Sequence, residues 1–257
     1  MKQFPVLFVG AGPGDPDLIT VKGLKALKTA DVVVYAGSLV NRALLDDLGP
    51  DVELHDSAPL NLDEVLAIML DAVAAGKRVV RLHTGDPSVY GAIQEQMEAL
   101  DACGIGYEVI PGVTAAFAAA AALGQELTLP GVSQTVILTR VEGRTPVPEK
   151  EQLRRIAALG ATIGLYLSVA MIDKVVGELL AGGAYTPQTP VAVVSKASWE
   201  DQETVEGTLA DIAGKVREAG ISRQALILVG EVLAARRKGV PEKSKLYDRN
   251  FSHGFRS

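Results

Sequence analysis

The residues of this chain with the clearest chemical potential are the glycines, prolines and aspartates that follow its first apolar segment. Phe4–Gly10, FPVLFVG, runs directly into the turn AGPGDPDLIT. Glycines let the backbone adopt positive φ and approach a bound molecule closely, whereas Pro13 and Pro16 remove two N–H donors. Asp15 and Asp17 add negative charge. Because a polyphosphate needs clustered N–H donors, the turn favours a neutral or cationic nucleotide-like cofactor.

Two common nucleotide signatures do not match this turn. Asp15 stands where the dinucleotide fingerprint has its third glycine, and the next apolar segment ends in Tyr35, Ala36 and Gly37 rather than in an acidic residue. The sequence also lacks the GxxxxGK[ST] phosphate loop. A glycine turn of this kind is equally typical of a structural connection between a strand and a helix.

Two further loops have the character of the first. His83–Gly91, HTGDPSVYG, and the PGVT segment that begins at Pro111 each follow an apolar run. Because ligands of open α/β sheets bind at the carboxyl ends of the strands, we expect the three loops to converge on one cleft. Gly85 would allow close approach, and Asp86 would accept hydrogen bonds from hydroxyl groups or lie near a cationic centre. The alternative for Asp86 is an Asx turn, in which it bonds only its own backbone.

Metal and nucleophile chemistry is not indicated. The three histidines, His55, His83 and His253, lack ligand-like spacing, and Cys103 has no neighbouring partner. The sequence contains no GxSxG elbow. We therefore expect no metal, and the spacing of residues identifies no catalytic residue.

Basic residues lie together in TRVEGRTPVPE, Thr139 to Glu149. Arg140 and Arg144 are candidates for forked contacts with substrate carboxylates. Glu142 and Glu149 are near enough in sequence to form ordinary surface pairs with them instead, and both interpretations stay open.

The order of apolar runs predicts an α/β protein. In the first half, strands alternate with helical patterns, which is typical of a parallel sheet covered on both faces. In the second half, two strands on either side of Trp199 lack a helix between them, which predicts a hairpin and a mixed sheet. We place the domain boundary after residue 112, giving domains 1–112 and 113–257. A helix is predicted at 62–75, capped by Asn61 and Glu64. The predicted strands are 6–9, 32–35, 79–83 and 107–110 in the first half, and 135–139, 162–167, 191–194, 204–207 and 225–229 in the second.

Bulk composition narrows the class of partners. The 257 residues carry a net charge of −6, which disfavours general binding to nucleic acid. The single cysteine and the absence of a secretion-signal pattern or a long apolar run predict a cytoplasmic protein without a membrane span. The segment from Arg236 to Arg256 is basic, and it is either a solvated tail or a cationic flap over an anionic substrate.

Six segments together resemble the tetrapyrrole (corrin/porphyrin) methylases that use S-adenosylmethionine. The glycine turn, HTGDPSVYG and PGVT are similar to segments shared across that family. The arginine segment and the C-terminal sequence resemble the subgroup that methylates carbon 11 of precorrin-4 or cobalt-precorrin-4. The six segments are VGAGPGDPDLITVKG, YAGSLV, HTGDPSVYG, PGVT, QTVILTRVEGRTPVPE and SKLYDRNFSHGFR.

The resemblance implies a tetrapyrrole methylase fold: a kidney-shaped homodimer of subunits with two α/β domains each and the cofactor in the trough between them. It implies S-adenosylmethionine as cosubstrate, S-adenosylhomocysteine as product and a tetrapyrrole as substrate. Many relatives carry an aspartate where this chain has Gly37, so no role is transferred to that position. The cofactor contacts implied are Pro13, Gly85, Asp86, Val89, Thr114, Ala115, Leu167, Ala197 and Ala225.

The implied chemistry agrees with the loop analysis. A sulfonium is a cation, so a turn poor in N–H donors suits it. Methyl transfer requires alignment of two bound molecules and exclusion of water, and the carboxylates of the substrate require cations such as Arg140 and Arg144. The alternatives are methylation of another tetrapyrrole carbon or of a ribosomal RNA nucleotide, and a non-catalytic nucleotide sensor. The general base and the presence of cobalt in the substrate stay open.

Overall fold

A computed structural model describes residues 4–235, 239, 242–245, 251, 252 and 254. The chain forms two compact units. The first extends to Ala118 and includes Ser198–Glu200, and the second takes Ala119–Ala197 and continues from Asp201.

The first unit is built on a five-stranded parallel sheet. Its strand order is β3-β2-β4-β1-β5, with β1 paired to β4 on one side and to β5 on the other. The strands are β1 Val6–Gly10, β2 Val32–Tyr35, β3 Glu53–Asp56, β4 Val79–His83 and β5 Tyr107–Ile110. The helices that follow them are α1 Val21–Lys28, α2 Ala43–Asp46, α3 Leu62–Ala74, α4 Ile93–Ala102 and α5 Ala115–Ala122, the last of which continues into the second unit.

Both faces of the first sheet are covered by apolar side chains. On one face Val9, Val33 and Leu82 pack with Leu27 of α1 and Leu44 of α2. On the opposite face, Phe8 and Val34 pack with residues of α3 and α4, including Met69 and Leu100. Alternate residues of one strand thus enter different cores, as the pleat of a strand requires. The predicted parallel, doubly covered sheet is confirmed.

The predicted helix after residue 61 is also confirmed. The side chain of Asn61 accepts a hydrogen bond from the Glu64 N–H at 3.0 Å, and the Glu64 carboxylate accepts one from the Asn61 N–H at 2.8 Å. This reciprocal pair satisfies two backbone donors that would otherwise lack partners at the start of α3.

The second unit contains a five-stranded mixed sheet of order β6-β7-β10-β8-β9. β6 and β7 are parallel, whereas the other three pairings are antiparallel. The predicted hairpin is confirmed, because β8 and β9 pair directly across the loop of residues 196–202. The elements are β6 Val136–Thr139, α6 Leu153–Ala157, β7 Thr162–Leu165, α7 Ile172–Ala181, β8 Pro190–Ser195, β9 Glu203–Thr208, α8 Ile212–Glu218 and β10 Ala225–Val229.

One face of the second sheet packs against α6, α7 and α8. Ile163, Val193 and Ile227 from three strands meet Leu179 of α7 and Ile212 of α8 in one buried cluster. This core joins residues that are far apart in sequence and holds the three helices against the sheet.

Candidate active site

The three loops expected to converge are in contact in the first unit. Because β4, β1 and β5 are neighbours, the turns after them leave the same edge of the sheet. Gly12 donates its N–H to the Gly85 carbonyl at 3.2 Å and accepts from the Gly85 N–H at 2.8 Å. The Gly112 N–H donates to Asp86 Oδ2 at 2.9 Å. The predicted convergence of the loops is confirmed.

Backbone atoms of the loops also lie directly against one another. A Cβ added to Gly112 would lie 2.1 Å from the Gly85 carbonyl oxygen and 2.8 Å from the Cα of Gly10. A Cβ on Gly10 would lie 2.6 Å from the Gly112 Cα. Backbone atoms cannot move aside as a flexible side chain can, so only glycine fits at these two positions.

Asp86 ties two of the loops together. Its Oδ1 accepts hydrogen bonds from the N–H of Ser88 at 2.8 Å and from the Ser88 hydroxyl, which is the Asx turn of the alternative interpretation. Its Oδ2 accepts from Gly112 and so also holds the PGVT loop. Burial raises the pKa of Asp86, but the hydrogen bonds from Ser88 and Gly112 outweigh it and hold the pKa below its ordinary value. Asp86 is therefore an ionised residue that shapes the site.

The first glycine turn has few free N–H groups. The Ala11 N–H donates to the His83 carbonyl at 2.7 Å, and the Gly12 N–H is used by Gly85. The Asp15 N–H donates to Ser198 Oγ at 3.0 Å, while Pro13 has no N–H. Because most of the donors are absent or already engaged, the turn cannot form the cluster of N–H groups that binds a phosphate.

Trp199 and Ser198 are neighbours of this turn that the sequence analysis missed. The Trp199 indole N–H donates to the Pro13 carbonyl at 2.9 Å. The ring covers Gly14, where an added Cβ would lie 2.1 Å from Trp199 Cδ1. The only sequence signal was position, since Trp199 lies in the loop of the predicted hairpin.

His83 and Arg81 lie buried at and near the end of β4. His83 is 4% exposed, and within the described part of the chain its Nε2 has no hydrogen-bond partner. Burial and the positive charge of Arg81 lower the pKa of His83 to about 3. At neutral pH His83 is therefore uncharged, which agrees with a packed rather than a proton-transferring residue.

The buried His83 makes stability depend on pH. In the unfolded chain its pKa returns toward 6.5, so unfolding takes up a proton between about pH 6.5 and pH 3, and stability falls as the pH falls through this window. We expect His83 to account for a loss of about 2 kcal/mol between neutral pH and pH 5. Urea unfolding at several pH values measures it, with His83→Leu as the comparison. Parallel pH dependence in the two proteins would contradict the assignment.

The three candidate cofactor contacts of the second unit lie along one edge of its sheet. β10 lies between β7 and β8, and Ala225 at its beginning pairs with Ser195 at the end of β8. Leu167 follows the end of β7 and is 70% exposed, whereas Ala197 is buried. The structure thus groups these residues within the second unit, as it groups the other candidates within the first.

Left-handed backbone conformations concentrate at the candidate cofactor residues. In the part of the chain that the structure describes, every non-glycine residue with positive φ lies within three positions of one of them. Each such conformation costs about 1–2 kcal/mol, and such strain is typical of functional sites. The six residues are Tyr90, Ala92, Leu167, Lys196, Ser198 and Gln224.

The two candidate substrate arginines have different environments. Arg140 donates to the carbonyl oxygens of Thr145 at 3.1 Å and Pro146 at 2.7 Å, so its guanidinium closes the loop that follows β6. Arg144 is exposed at the tip of that loop. Among the described residues, neither Glu142 nor Glu149 forms an ion pair with these arginines. The Glu149 carboxylate pairs with Arg155 instead, and the backbone carbonyl of Glu142 accepts a hydrogen bond from Lys174.

Gly37 adopts φ +55, and a Cβ there would lie 2.7 Å from the Cβ of Ala58 and 3.0 Å from a carboxylate oxygen of Asp56. An aspartate side chain would be strained and close to a second carboxylate, which explains why glycine suits this chain.

Most of the basic tail lies outside the described residues. Within those residues, no group of three or more potential ligands is arranged for a metal, and no helix could cross a membrane.

Comparison with known proteins agrees with this geometry. A relative from Methanocaldococcus jannaschii named cobalt-precorrin-4 C(11)-methyltransferase is 58% identical over 98% of this chain and 95% of its own. The X-ray structure of a cobalt precorrin-4 methyltransferase is 51% identical, with a TM-score of 0.87, and the match covers 89% of this chain and 95% of that one.

A more distant structure is informative about ligands. It is a uroporphyrin-III C-methyl transferase from Thermus thermophilus in complex with S-adenosylhomocysteine, 32% identical, with a TM-score of 0.75 and coverage of 90% of this chain and 93% of that one. The family model for tetrapyrrole (corrin/porphyrin) methylases matches residues 5–213. The loops, the two sheets and these similarities agree, and the chain belongs to the tetrapyrrole (corrin/porphyrin) methylase family.

Proposed function

We propose that this protein transfers a methyl group from S-adenosylmethionine to carbon 11 of precorrin-4 or cobalt-precorrin-4, a step of cobalamin biosynthesis. The observation that carries the proposal is the junction of Gly12, Gly85 and Gly112, in which backbone contacts and Asp86 build a binding surface with few free N–H groups. Similarity over nearly the whole chain to proteins named for this reaction supports the choice of acceptor.

The residues present fit a sulfonium cofactor. The bound cofactor supplies an electrophilic methyl group on a positively charged sulfur. Phosphate-binding features are missing, since most N–H groups of the first glycine turn are engaged and none of the three loops contains a lysine or arginine. The ionised Asp86 and the loop carbonyls favour a cation at this surface. The structure of a related methyltransferase with S-adenosylhomocysteine supports the same cofactor here.

Each candidate residue has a proposed role. Pro13, Gly85 and Thr114 form the binding surface through backbone, while Asp86 fixes the relative positions of two loops. Arg140 shapes the loop that presents Arg144, and Arg144 binds a carboxylate of the tetrapyrrole through its guanidinium. The transfer needs the acceptor carbon held in line with the methyl group and water excluded. The remaining proposed cofactor contacts are Val89, Ala115, Leu167, Ala197 and Ala225.

Binding is tested with the natural fluorescence of Trp199, the only tryptophan of the chain. Because its indole N–H bonds the Pro13 carbonyl, S-adenosylhomocysteine bound at this turn changes its emission. We expect saturable titration with S-adenosylhomocysteine and none with ATP or NAD. Trp199→Phe is the control, since it removes the signal. Tight uptake of ATP or NAD with indifference to S-adenosylhomocysteine would contradict the proposal.

Turnover is tested with purified protein, S-adenosylmethionine carrying a ¹³C-methyl group, and precorrin-4 with or without cobalt. We expect one added methyl group, located at carbon 11 by NMR, together with S-adenosylhomocysteine. A label at another carbon would favour a different tetrapyrrole methylase activity. Cofactor binding without transfer to any tetrapyrrole would favour a sensor and overturn the enzyme assignment.

We further propose that the protein works as a homodimer in the cytoplasm. Its single cysteine is exposed and unpaired, which suits a reducing compartment. Sedimentation equilibrium gives the assembly mass directly, and a monomer at assay concentration would contradict the proposed dimer.

A further inference from the structure

Arg81 is a buried charge that has no acidic partner among the described residues. It lies in β4 and is 7% exposed. In the described part of the chain its hydrogen bonds go only to neutral groups, the Val34 carbonyl at 3.1 Å and Gln96 Oε1 at 3.3 Å. Burial lowers the pKa of Arg81 to about 10, so it stays charged at neutral pH. Fully buried arginines are rare without a carboxylate, and the reaction described above does not use this one.

The hydrogen bonds of Arg81 continue to the site through Gln96. Gln96, in α4, donates its side-chain amide to the Ala92 carbonyl at 3.0 Å. Ala92 has φ +50, directly precedes α4 and provides no side-chain cap. The path from Val34 through Arg81 and Gln96 to Ala92 therefore links the central sheet to the end of the loop that carries Asp86 and Val89.

That loop is tightly folded and strained where the path reaches it. Tyr90 and Ala92 both adopt positive φ. A Cβ on Gly91 would lie 2.1 Å from the Pro87 carbonyl oxygen. A loop with two left-handed residues holds its form only when its surroundings impose it, and Gln96 is the polar side chain that bonds its last residue.

We propose that Arg81 and Gln96 are positioning residues that hold the Asp86–Ala92 loop in the conformation that binds the cofactor. The inference rests on the proposed function for the identity of the ligand, S-adenosylmethionine. A guanidinium suits this role because its planar fork donates in two fixed directions, here to a strand carbonyl and to the amide of Gln96. The competing explanation is that the pair only fills and supports the core.

Three variants separate the two explanations. Arg81→Met and Gln96→Met each leave a buried polar group without its partner, so both are expected to lower the thermal midpoint. The double variant removes both polar groups and is expected to recover much of that stability, because replacing both partners by apolar groups is nearly neutral. If Arg81 and Gln96 position the loop, the double variant is expected to bind S-adenosylhomocysteine about tenfold more weakly than the wild type even after its stability recovers, because the loop is misplaced.

The matched control is Arg78→Met, three positions earlier. Arg78 forms an exposed pair with Asp31, and its loss is expected to leave the affinity unchanged. Arg81→Lys preserves the charge but not the fork, so we expect an intermediate affinity, and this milder change keeps the test valid if the methionine variants do not fold.

Hydrogen exchange tests, without any ligand, whether Arg81 and Gln96 hold the loop in place. Amides of residues 89–93 are expected to exchange faster in the double variant than in the wild type. Wild-type affinity and unchanged exchange in that variant, or affinity that recovers along with stability, would overturn the inference. If the wild-type protein fails to bind S-adenosylhomocysteine while exchange in the double variant is faster as expected, the proposed function is wrong. The role of Arg81 and Gln96 in holding the loop is then still supported.

Discussion

Gly112→Ala is expected to weaken S-adenosylhomocysteine binding about 100-fold. The new Cβ would lie 2.1 Å from the Gly85 carbonyl oxygen and 2.8 Å from the Gly10 Cα. Neither atom can yield without moving a loop. A misplacement of about 1 Å costs on the order of 100-fold in the rate of an aligned reaction, and we expect a loss of similar size in affinity here. Isothermal titration calorimetry measures the loss, with circular dichroism to verify folding.

Gly177→Ala is the control for this change. Gly177 lies inside α7, and a Cβ there would meet no atom within 4 Å. Since alanine favours a helix interior by about 1 kcal/mol over glycine, this variant is expected to be more stable and to bind normally. Normal affinity in the Gly112 variant would show that the loops do not have to touch for the cofactor to bind.

Asp86→Ala is expected to weaken S-adenosylhomocysteine binding by about 10- to 100-fold, and more than replacement of His83. The change removes the acceptor of the Gly112 N–H and of both Ser88 donors. Hydrogen bonds to a charged group contribute about 1.5–3 kcal/mol each, and each 1.4 kcal/mol lost from binding is tenfold in affinity. Calorimetry compares Asp86→Ala with His83→Leu at neutral pH.

The comparison isolates the role of the loop. His83→Leu removes a buried ring whose Nε2 has no partner in the described residues, so its main effect falls on stability. Asp86→Asn, which keeps the shape but loses the charge and one acceptor oxygen, is expected to lie between the two. Equal affinities for the Asp86→Ala and His83→Leu proteins would place the cofactor away from this loop.

Much of the fold could be predicted because its signals are local. The runs that became β1, β4 and β10 are short, apolar and bounded by turns, and the capping pair Asn61 and Glu64 lies three residues apart. β3, Glu53–Asp56, was not predicted. It is a mostly exposed edge strand, so no buried face imposed an apolar pattern on its sequence.

The candidate site could be predicted only where residue types such as glycine and proline indicate the conformation of the backbone. Glycine and proline reveal the turns, and strand order brings them together. The supporting contacts join residues distant in sequence: Ser198 is 183 positions from Asp15, and Trp199 is 186 from Pro13. The Arg81 to Gln96 link depends on how α4 packs over the sheet. Such contacts follow from tertiary structure, and no local pattern encodes them.

The way the three loops meet determines which substitutions this fold can accept near the glycine turns. The junction depends strictly on few residues: glycine at Gly10 and Gly112, and the Asp86 carboxylate. In the proposed function, a carboxylate of the acceptor is bound by Arg144, which lies on a separate loop. On that proposal, combinatorial libraries confined to the Arg144 loop would change the methylation specificity and leave the residues of the glycine junction untouched.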